Sequence, residues 1–109
     1  MERYEMVFDK LVSGLRLIYG ENLYSVVLYG SVARGTDTAD SDIDIAVIVL
    51  SENAEMHEAM IDLNVDLELE YGKVLSLITI EQDEYNKWNN ISPFYKNVKN
   101  EGVVLWKAA

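Results

Sequence analysis

The sequence of 109 residues predicts an α/β (α+β) domain in which helices flank a small mixed sheet of about four strands. Two patterns alternate along the chain. Apolar residues three or four positions apart are typical of amphipathic helices, and short runs of β-branched and aromatic residues are typical of strands. The chain has one proline and no low-complexity tract, so no linker divides it. We therefore expect residues 1–109 to form a single domain.

The first predicted elements are a helix and a strand. Apolar side chains at helical spacing predict a helix over residues 3–19, which Gly20 would end. Residues 24–29 are β-branched and aromatic, and they predict a strand that stops at Gly30-Ser31. Small and polar residues then fill positions 32–41 before the next strand.

The middle of the chain predicts a strand, a helix and a second strand. Residues 42–50 have the apolar character of a buried strand. Residues 52–71 carry apolar side chains at helical spacing, with Gly72 as the stop, and residues 74–80 form the next strand.

The last part of the chain predicts two helices and a closing strand. Residues 81–89 indicate a short polar helix. Ser92-Pro93 is typical of an N-cap followed by proline in the first helical position, and this helix is expected to end near Gly102. Residues 103–106 form the closing strand.

Composition restricts the classes of function. Nine Lys and Arg against nineteen Asp and Glu give a formal charge of −10, which argues against general nucleic-acid binding because such a surface repels phosphate backbones. The acidity fits a solvated surface or, in part, a cation-binding site. With no cysteine, the chain has no disulfide, thiolate metal site or cysteine nucleophile. No segment resembles a targeting signal or a membrane span, so we expect a cytoplasmic protein.

Two aspartates at the start of the second predicted strand indicate a cation site. Asp42 and Asp44 are two positions apart, so their side chains point to the same face of a strand. Carboxylates this close repel each other unless a cation lies between them. Ligands of oxygen alone favour a hard ion, Mg²⁺ or Mn²⁺. Taken alone, however, Asp-x-Asp is more often a pair of surface aspartates, because the pattern is short and common.

The end of the preceding strand adds to this indication. Gly30 lets the backbone approach a ligand closely, and the Ser31 hydroxyl with the following N–H groups can bind an anion. Alone, this pair would indicate only a tight turn. A phosphate cradle at one strand end and a carboxylate pair on the next strand are together the minimal apparatus for metal-bridged phosphoryl transfer.

These residues resemble the signature of the DNA polymerase β-like nucleotidyltransferases. That signature is Gly-Ser, ten residues, and then Asp-x-Asp, here Gly30-Ser31 and Asp42-Ile43-Asp44. Arg34-Gly35 and residues 41–47 are similar to the minimal nucleotidyltransferase (MNT) branch, and residues 92–105 look like the tail of its small bacterial members. The resemblance covers essentially the whole chain and implies the polymerase β-like nucleotidyltransferase fold.

The resemblance implies transfer of a nucleoside monophosphate, usually AMP from ATP, to an acceptor hydroxyl. It implies that Ser31, beside Gly30, contacts the β- and γ-phosphates. It also implies that Asp42 and Asp44 hold Mg²⁺, for which Mn²⁺ can substitute. Arg34 would help to neutralise the triphosphate, although an exposed arginine beside the acidic loop that follows it is an equally good interpretation.

The resemblance also implies a partner. Small MNT proteins are often encoded beside helical HEPN-domain proteins, as antitoxins that add AMP to a tyrosine of the HEPN toxin. No second domain is predicted that would bind an acceptor, which fits a partner protein as substrate. An aminoglycoside nucleotidyltransferase is a weaker alternative, because those enzymes carry additional substrate-binding structure. The apolar C-terminal strand is compatible with a homodimer or a hetero-oligomer.

One position departs from the family pattern. Active members usually carry a third carboxylate on the next strand, and alignment places Ser76 there. A serine cannot replace a carboxylate as a base or as an anionic ligand of Mg²⁺. Asp66, Glu68 and Glu70 lie at the end of the preceding helix and could substitute in space, although a solvated helix face is the simpler interpretation. Two hypotheses stand: catalysis with two carboxylates and a base from elsewhere, or a nucleotide-binding antitoxin or regulatory subunit with little or no activity.

Overall fold

Five helices and four strands make up residues 4–109, which are the residues that this computed structural model describes. A short 3₁₀ turn (Gly20–Asn22) joins the first helix to the first strand. In chain order the elements are α1 (Glu5–Tyr19), β1 (Leu23–Tyr29), α2 (Gly30–Arg34), β2 (Ile43–Val49), α3 (Ala54–Tyr71), β3 (Leu75–Glu81), α4 (Gln82–Trp88), α5 (Pro93–Glu101) and β4 (Val103–Lys107).

The four strands form one mixed sheet in the order β3-β2-β1-β4. β1 is antiparallel to both β2 and β4, whereas β2 and β3 are parallel and are joined by the crossover helix α3. The prediction of a small mixed sheet flanked by helices is therefore confirmed.

A layer of helices covers each face of the sheet. α1 and α3 pack on one face, over a core that includes Leu11, Leu15, Leu28, Ile45, Val47, Met60 and Leu67. α4 and α5 cover the other face, where Tyr85 and Tyr95 pack on a smaller cluster formed by Val27, Ala46, Ile48, Ile80 and Val98. Side chains alternate along a strand, so Asp44 points to the same face as Ala46 and Ile48, which is the α4/α5 face.

Most predicted elements are confirmed with bounds that differ by about two residues at most. The predicted N-cap is also confirmed, because the Ser92 hydroxyl accepts a hydrogen bond from the Tyr95 N–H. Helix α2 was not predicted, since its five residues are too few for a helical period to be detected. Residue 3, the predicted start of the first helix, lies outside the described residues.

None of the helices within residues 4–109 is long and apolar enough to cross a membrane.

Candidate active site

The turn between β1 and α2 requires glycine for two reasons. Gly30 has a φ of 76°, a left-handed conformation that other residues rarely adopt. A Cβ atom at this position would also lie 2.3 Å from Oδ2 of Asp44. Tyr29 lies opposite Asp44 in the β1/β2 ladder, so the chain passes directly against the Asp44 carboxylate as it turns into α2. The structure thus brings Gly30, Ser31 and Asp44 to one end of the sheet.

Asp42 and Asp44 sit at the start of β2 in different environments. Asp42 is exposed just before the strand, and Asp44 is half-buried as the second strand residue. Burial raises the pKa of Asp44 above its usual value, and the nearby charge of Asp42 raises it further, while Arg34 acts in the opposite direction. The two carboxylates are thus close enough to repel each other, as the sequence predicted.

This repulsion leads to a prediction about stability without metal. A carboxyl group whose pKa is raised by folding lowers stability when it is ionised, and this cost is lost as the pH falls through the raised pKa. We therefore expect Asp44→Asn to raise the melting temperature at neutral pH in EDTA. Mg²⁺ should then stabilise the wild type more than the variant. Calorimetry with and without Mg²⁺ checks this, and an equal Mg²⁺ effect on both proteins would contradict it.

Arg34 is the last residue of α2, and its positive charge acts on Asp44. Its Nη1 donates a hydrogen bond to Oε2 of Glu101, at the end of α5, over 3.1 Å. The sequence alone offers the acidic loop after Arg34 as an alternative environment for this side chain, whereas the ion pair in the structure is with Glu101 of α5, 67 residues away. Both side chains are substantially exposed, so this ion pair is weak and a bound triphosphate can compete for the guanidinium.

The loop between α2 and Asp42 is tied down from two other elements. The Tyr4 hydroxyl donates a hydrogen bond to Oδ2 of Asp37 over 3.3 Å, and Nζ of Lys73 donates to the Ala39 carbonyl over 3.1 Å. These tethers hold the loop at Asp37 and Ala39, before it reaches Asp42. Sequence reasoning missed Tyr4 and Lys73, because both partners are more than thirty residues away along the chain and no motif marks them.

An aromatic pair forms one side of the site. Tyr29 lies opposite Asp44 in the ladder, and its ring meets that of Phe94 edge-to-face, with centroids 5.4 Å apart. Burial raises the pKa of Tyr29, and the charge of Asp44 raises it further. Tyr29 therefore stays neutral beside the carboxylates.

The third position expected to hold a carboxylate is a serine next to Asp44. Ser76 and Asp44 are direct partners in the parallel β2/β3 ladder, so their side chains point to the same face. Ser76 is exposed. Within residues 4–109 no group of three or more acidic, histidine or cysteine side chains could hold a metal ion.

The carboxylates of α3 do not replace the missing group. α3 packs on the sheet face opposite to the one that bears Asp44 and Ser76. Oε2 of Glu68 accepts a hydrogen bond from the Leu75 N–H over 2.8 Å, and Glu70 pairs with Lys10 of α1. The other candidate, Asp66, is exposed on this same helix. The possibility that these acids substitute in space is therefore wrong, because they belong to the other layer.

Chemically, the site suits a hard divalent cation that is shared with a phosphate ligand. Two carboxylates supply only part of an octahedral shell, and Mg²⁺ normally fills the remaining positions with water and substrate phosphates. The repulsion between Asp42 and Asp44 fits this donor set, because a bound cation would relieve it.

Comparison with known proteins decides the family. The model of the family described as "Polymerase beta, Nucleotidyltransferase" matches residues 17–109, which include the whole candidate site. The chain belongs to this family. The nucleotidyltransferase is also 35% identical to MJ0604 of Methanocaldococcus jannaschii, which is provisionally named a protein adenylyltransferase, over 94% of this chain and 97% of that protein.

Solved structures show the same fold. A chain of a toxin–antitoxin crystal structure with AMP-PNP matches the nucleotidyltransferase with a TM-score of 0.61 at 22% identity, covering 93% of this chain and 73% of that one. A chain from the complex of tri-AMPylated Shewanella oneidensis HEPN toxin with MNT antitoxin matches with a TM-score of 0.56 at 19% identity, covering 95% and 72%. At this level of identity the likeness establishes the fold, which is the polymerase β-like nucleotidyltransferase fold.

Proposed function

We propose that this nucleotidyltransferase transfers AMP from ATP to a tyrosine hydroxyl of a helical HEPN-type partner and thereby acts as its antitoxin. The observation that carries the proposal is the convergence of Gly30, Ser31, Asp42 and Asp44 at one end of the sheet. The relative named as a protein adenylyltransferase and the structural neighbours in toxin–antitoxin complexes support the choice of substrate and partner.

Each residue of the site has a role in this proposal. Asp42 and Asp44 would hold Mg²⁺, which would supply positive charge to neutralise the triphosphate; Mn²⁺ has the same preference for oxygen ligands. Ser31 and Gly30 face the β- and γ-phosphates, and Arg34 leaves Glu101 to contact the triphosphate. The acceptor oxygen forms a bond to the α-phosphorus, the bond from that phosphorus to the bridging oxygen breaks, and pyrophosphate leaves.

A serine instead of a carboxylate at position 76 favours a tyrosine as the residue that receives AMP. Among the described residues 4–109, the ladder partner of Asp44 on β3 is Ser76 and not a carboxylate, so this position supplies no base to take the proton of the acceptor hydroxyl. A tyrosine phenol ionises near pH 10, far more readily than a serine or threonine hydroxyl. Its proton can pass to solvent or to the exposed carboxylate of Asp42. A site with two carboxylates is thus better suited to tyrosine than to an aliphatic alcohol.

Label transfer tests the proposal. The chain is incubated with Mg²⁺ and the helical protein encoded beside its gene, using ATP labelled at either the α- or the γ-phosphate. We expect the α-label to appear on a tyrosine of the partner and the γ-label to leave as pyrophosphate. Transfer of the γ-label would indicate a kinase instead, and transfer of neither label would contradict the proposal.

A second candidate function is favoured by the same serine. The chain would then bind nucleotide weakly, transfer nothing, and neutralise its partner by binding alone, since Ser76 removes a group that active members usually carry. An Asp42→Ala/Asp44→Ala variant that still neutralises the toxin would support this candidate.

Restoring the third carboxylate should increase activity. Ser76→Asp places a carboxylate on the same face as Asp44, where it can bind Mg²⁺ and accept the proton of the acceptor. We expect the rate of AMP transfer to rise by about 100-fold, which is the lower end of the usual contribution of a general base. We also expect the variant to require a lower Mg²⁺ concentration. Ser76→Asn is the control of equal size without charge. Equal rates for both variants would contradict the prediction.

The proposal also carries two expectations from the sequence: that the protein works in the cytoplasm, and that it assembles as a homodimer or as a hetero-oligomer with its partner. Light scattering of the chain alone and with the partner checks the assembly.

A further inference from the structure

Helix α3 carries apolar side chains on its outer face as well as on its buried face. Met60 and Leu67 are buried in the core between α3 and the sheet. Ile61, Val65 and Leu69 recur every four residues on the opposite side, where 46%, 46% and 79% of their surface is exposed. We call these three residues the α3 stripe. Residues at this spacing form one continuous ridge along a helix.

The α3 stripe is bordered by negative charge. Glu58, Asp62 and Asp66 lie along it and are all exposed. The whole helix contains six carboxylates and neither lysine nor arginine. An exposed apolar ridge within an acidic surface is an unusual place to leave three large aliphatic side chains in contact with water.

We infer that the α3 stripe docks a helix of a partner protein that bears an apolar ridge bordered by Lys or Arg. This inference rests on the proposed function in that it names the contact surface of its helical partner. A second copy of this chain is a poor occupant, because the carboxylates beside one α3 stripe would face those of the other. A basic amphipathic helix fits both features, with its ridge on the aliphatic side chains and its cations on the flanking carboxylates.

The direction of α3 relates this surface to the site. The helix leads through Gly72 into β3, whose second residue is Ser76, the ladder partner of Asp44. Leu69 is therefore the residue of the α3 stripe nearest in sequence to Ser76. The stripe lies in the layer opposite to the Asp44 face, so a helix docked on it leaves that face open for nucleotide and acceptor.

The test compares partner binding after the same kind of substitution at two exposed aliphatic residues, Val65 and Leu17. Val65→Glu puts a charge in the middle of the stripe, and Leu17→Glu makes the same kind of change on α1, where Leu17 is 88% exposed. Affinity for the helical protein encoded beside the gene is measured by calorimetry. We expect Val65→Glu to weaken binding by about 30-fold or more, as for a central hot-spot residue, and Leu17→Glu to change it by about twofold at most. Melting temperatures of both variants should match that of the wild type.

The added charge separates specific docking from general attraction. Both substitutions make the chain more acidic, so non-specific attraction to a basic partner would strengthen binding for both variants. Unchanged or tighter binding of Val65→Glu would overturn the inference. A wild-type homodimer that Val65→Glu converts to a monomer would overturn it as well, in favour of a second copy.

Label transfer measured on the same samples separates this inference from the proposed function. Tight binding of the wild type that is lost in Val65→Glu, without any label transfer, would support the docking surface and contradict the transfer reaction. Label transfer with full binding of Val65→Glu would do the reverse. A wild-type chain that does not bind the helical protein would overturn both.

Discussion

Replacing Asp42 and Asp44 together by asparagine is expected to abolish AMP transfer while the chain remains folded. Both side chains keep their size but lose the negative charge that attracts a divalent cation. Without the cation, the developing charge on the triphosphate loses several kcal/mol of stabilisation. This loss lowers the rate by a factor of at least about 1,000. The initial rate of α-label transfer to the partner measures this effect.

A matched control removes two charges elsewhere. Asp9 of α1 and Asp83 of α4 are both exposed and lie outside the candidate site. Asp9→Asn/Asp83→Asn makes the same change in net charge and should transfer AMP at the wild-type rate. If the Asp42→Asn/Asp44→Asn variant also kept the wild-type rate, the assignment of this pair as the metal site would be wrong.

Gly30→Ala is expected to have the second largest effect, and Gly35→Ala provides its control. Both glycines have a φ of 76°, so alanine in either position meets the same backbone strain, about 1–2 kcal/mol. Only at Gly30 would the new Cβ meet another group, Oδ2 of Asp44 at 2.3 Å, whereas no atom lies within 4 Å of the corresponding Cβ at Gly35. The Asp44 side chain must therefore move in Gly30→Ala alone.

The expected result separates strain from displacement. Both variants should show a lower free energy of unfolding in urea. Gly30→Ala should also transfer AMP about 100-fold more slowly, because moving a catalytic group by about 1 Å can lower the rate by that factor. Gly35→Ala should keep a rate near that of the wild type. Equal rates for the two variants would show that the contact between Gly30 and Asp44 does not position the carboxylate for catalysis.

Much of the fold could be predicted because its elements have strong local signals. Apolar periodicity marks the long helices α1 and α3, and Ser92-Pro93 marks the start of α5. The short helix α2 could not be predicted in this way, because five residues are too few to show a helical period of apolar side chains. Its formation depends on the turn at Gly30 and on packing. Periodicity also failed to show that α3 has a second apolar face, because the residues of the core ridge already explained the pattern.

The sequence predicted the site residues that follow from local patterns, but not the contacts between residues that are far apart in the chain. The alternation of a strand places Asp44 on one face, and the aligned position of Ser76 proves to be its ladder partner. The layer to which the α3 carboxylates belong depends on how the crossover helix packs, so their possible role could be rejected only in three dimensions. The same holds for the tethers from Tyr4 and Lys73 to the loop before Asp42, which join distant parts of the chain.

Intact-mass spectrometry of the partner tests the central claim most directly. The helical protein encoded beside the gene is incubated with ATP and Mg²⁺, with either the wild-type chain or the Asp42→Asn/Asp44→Asn variant. We expect the partner to gain the mass of one or more AMP groups, located on tyrosine by fragmentation, with the wild type only. A partner that stays unmodified although the wild-type chain binds and neutralises it would contradict the claim.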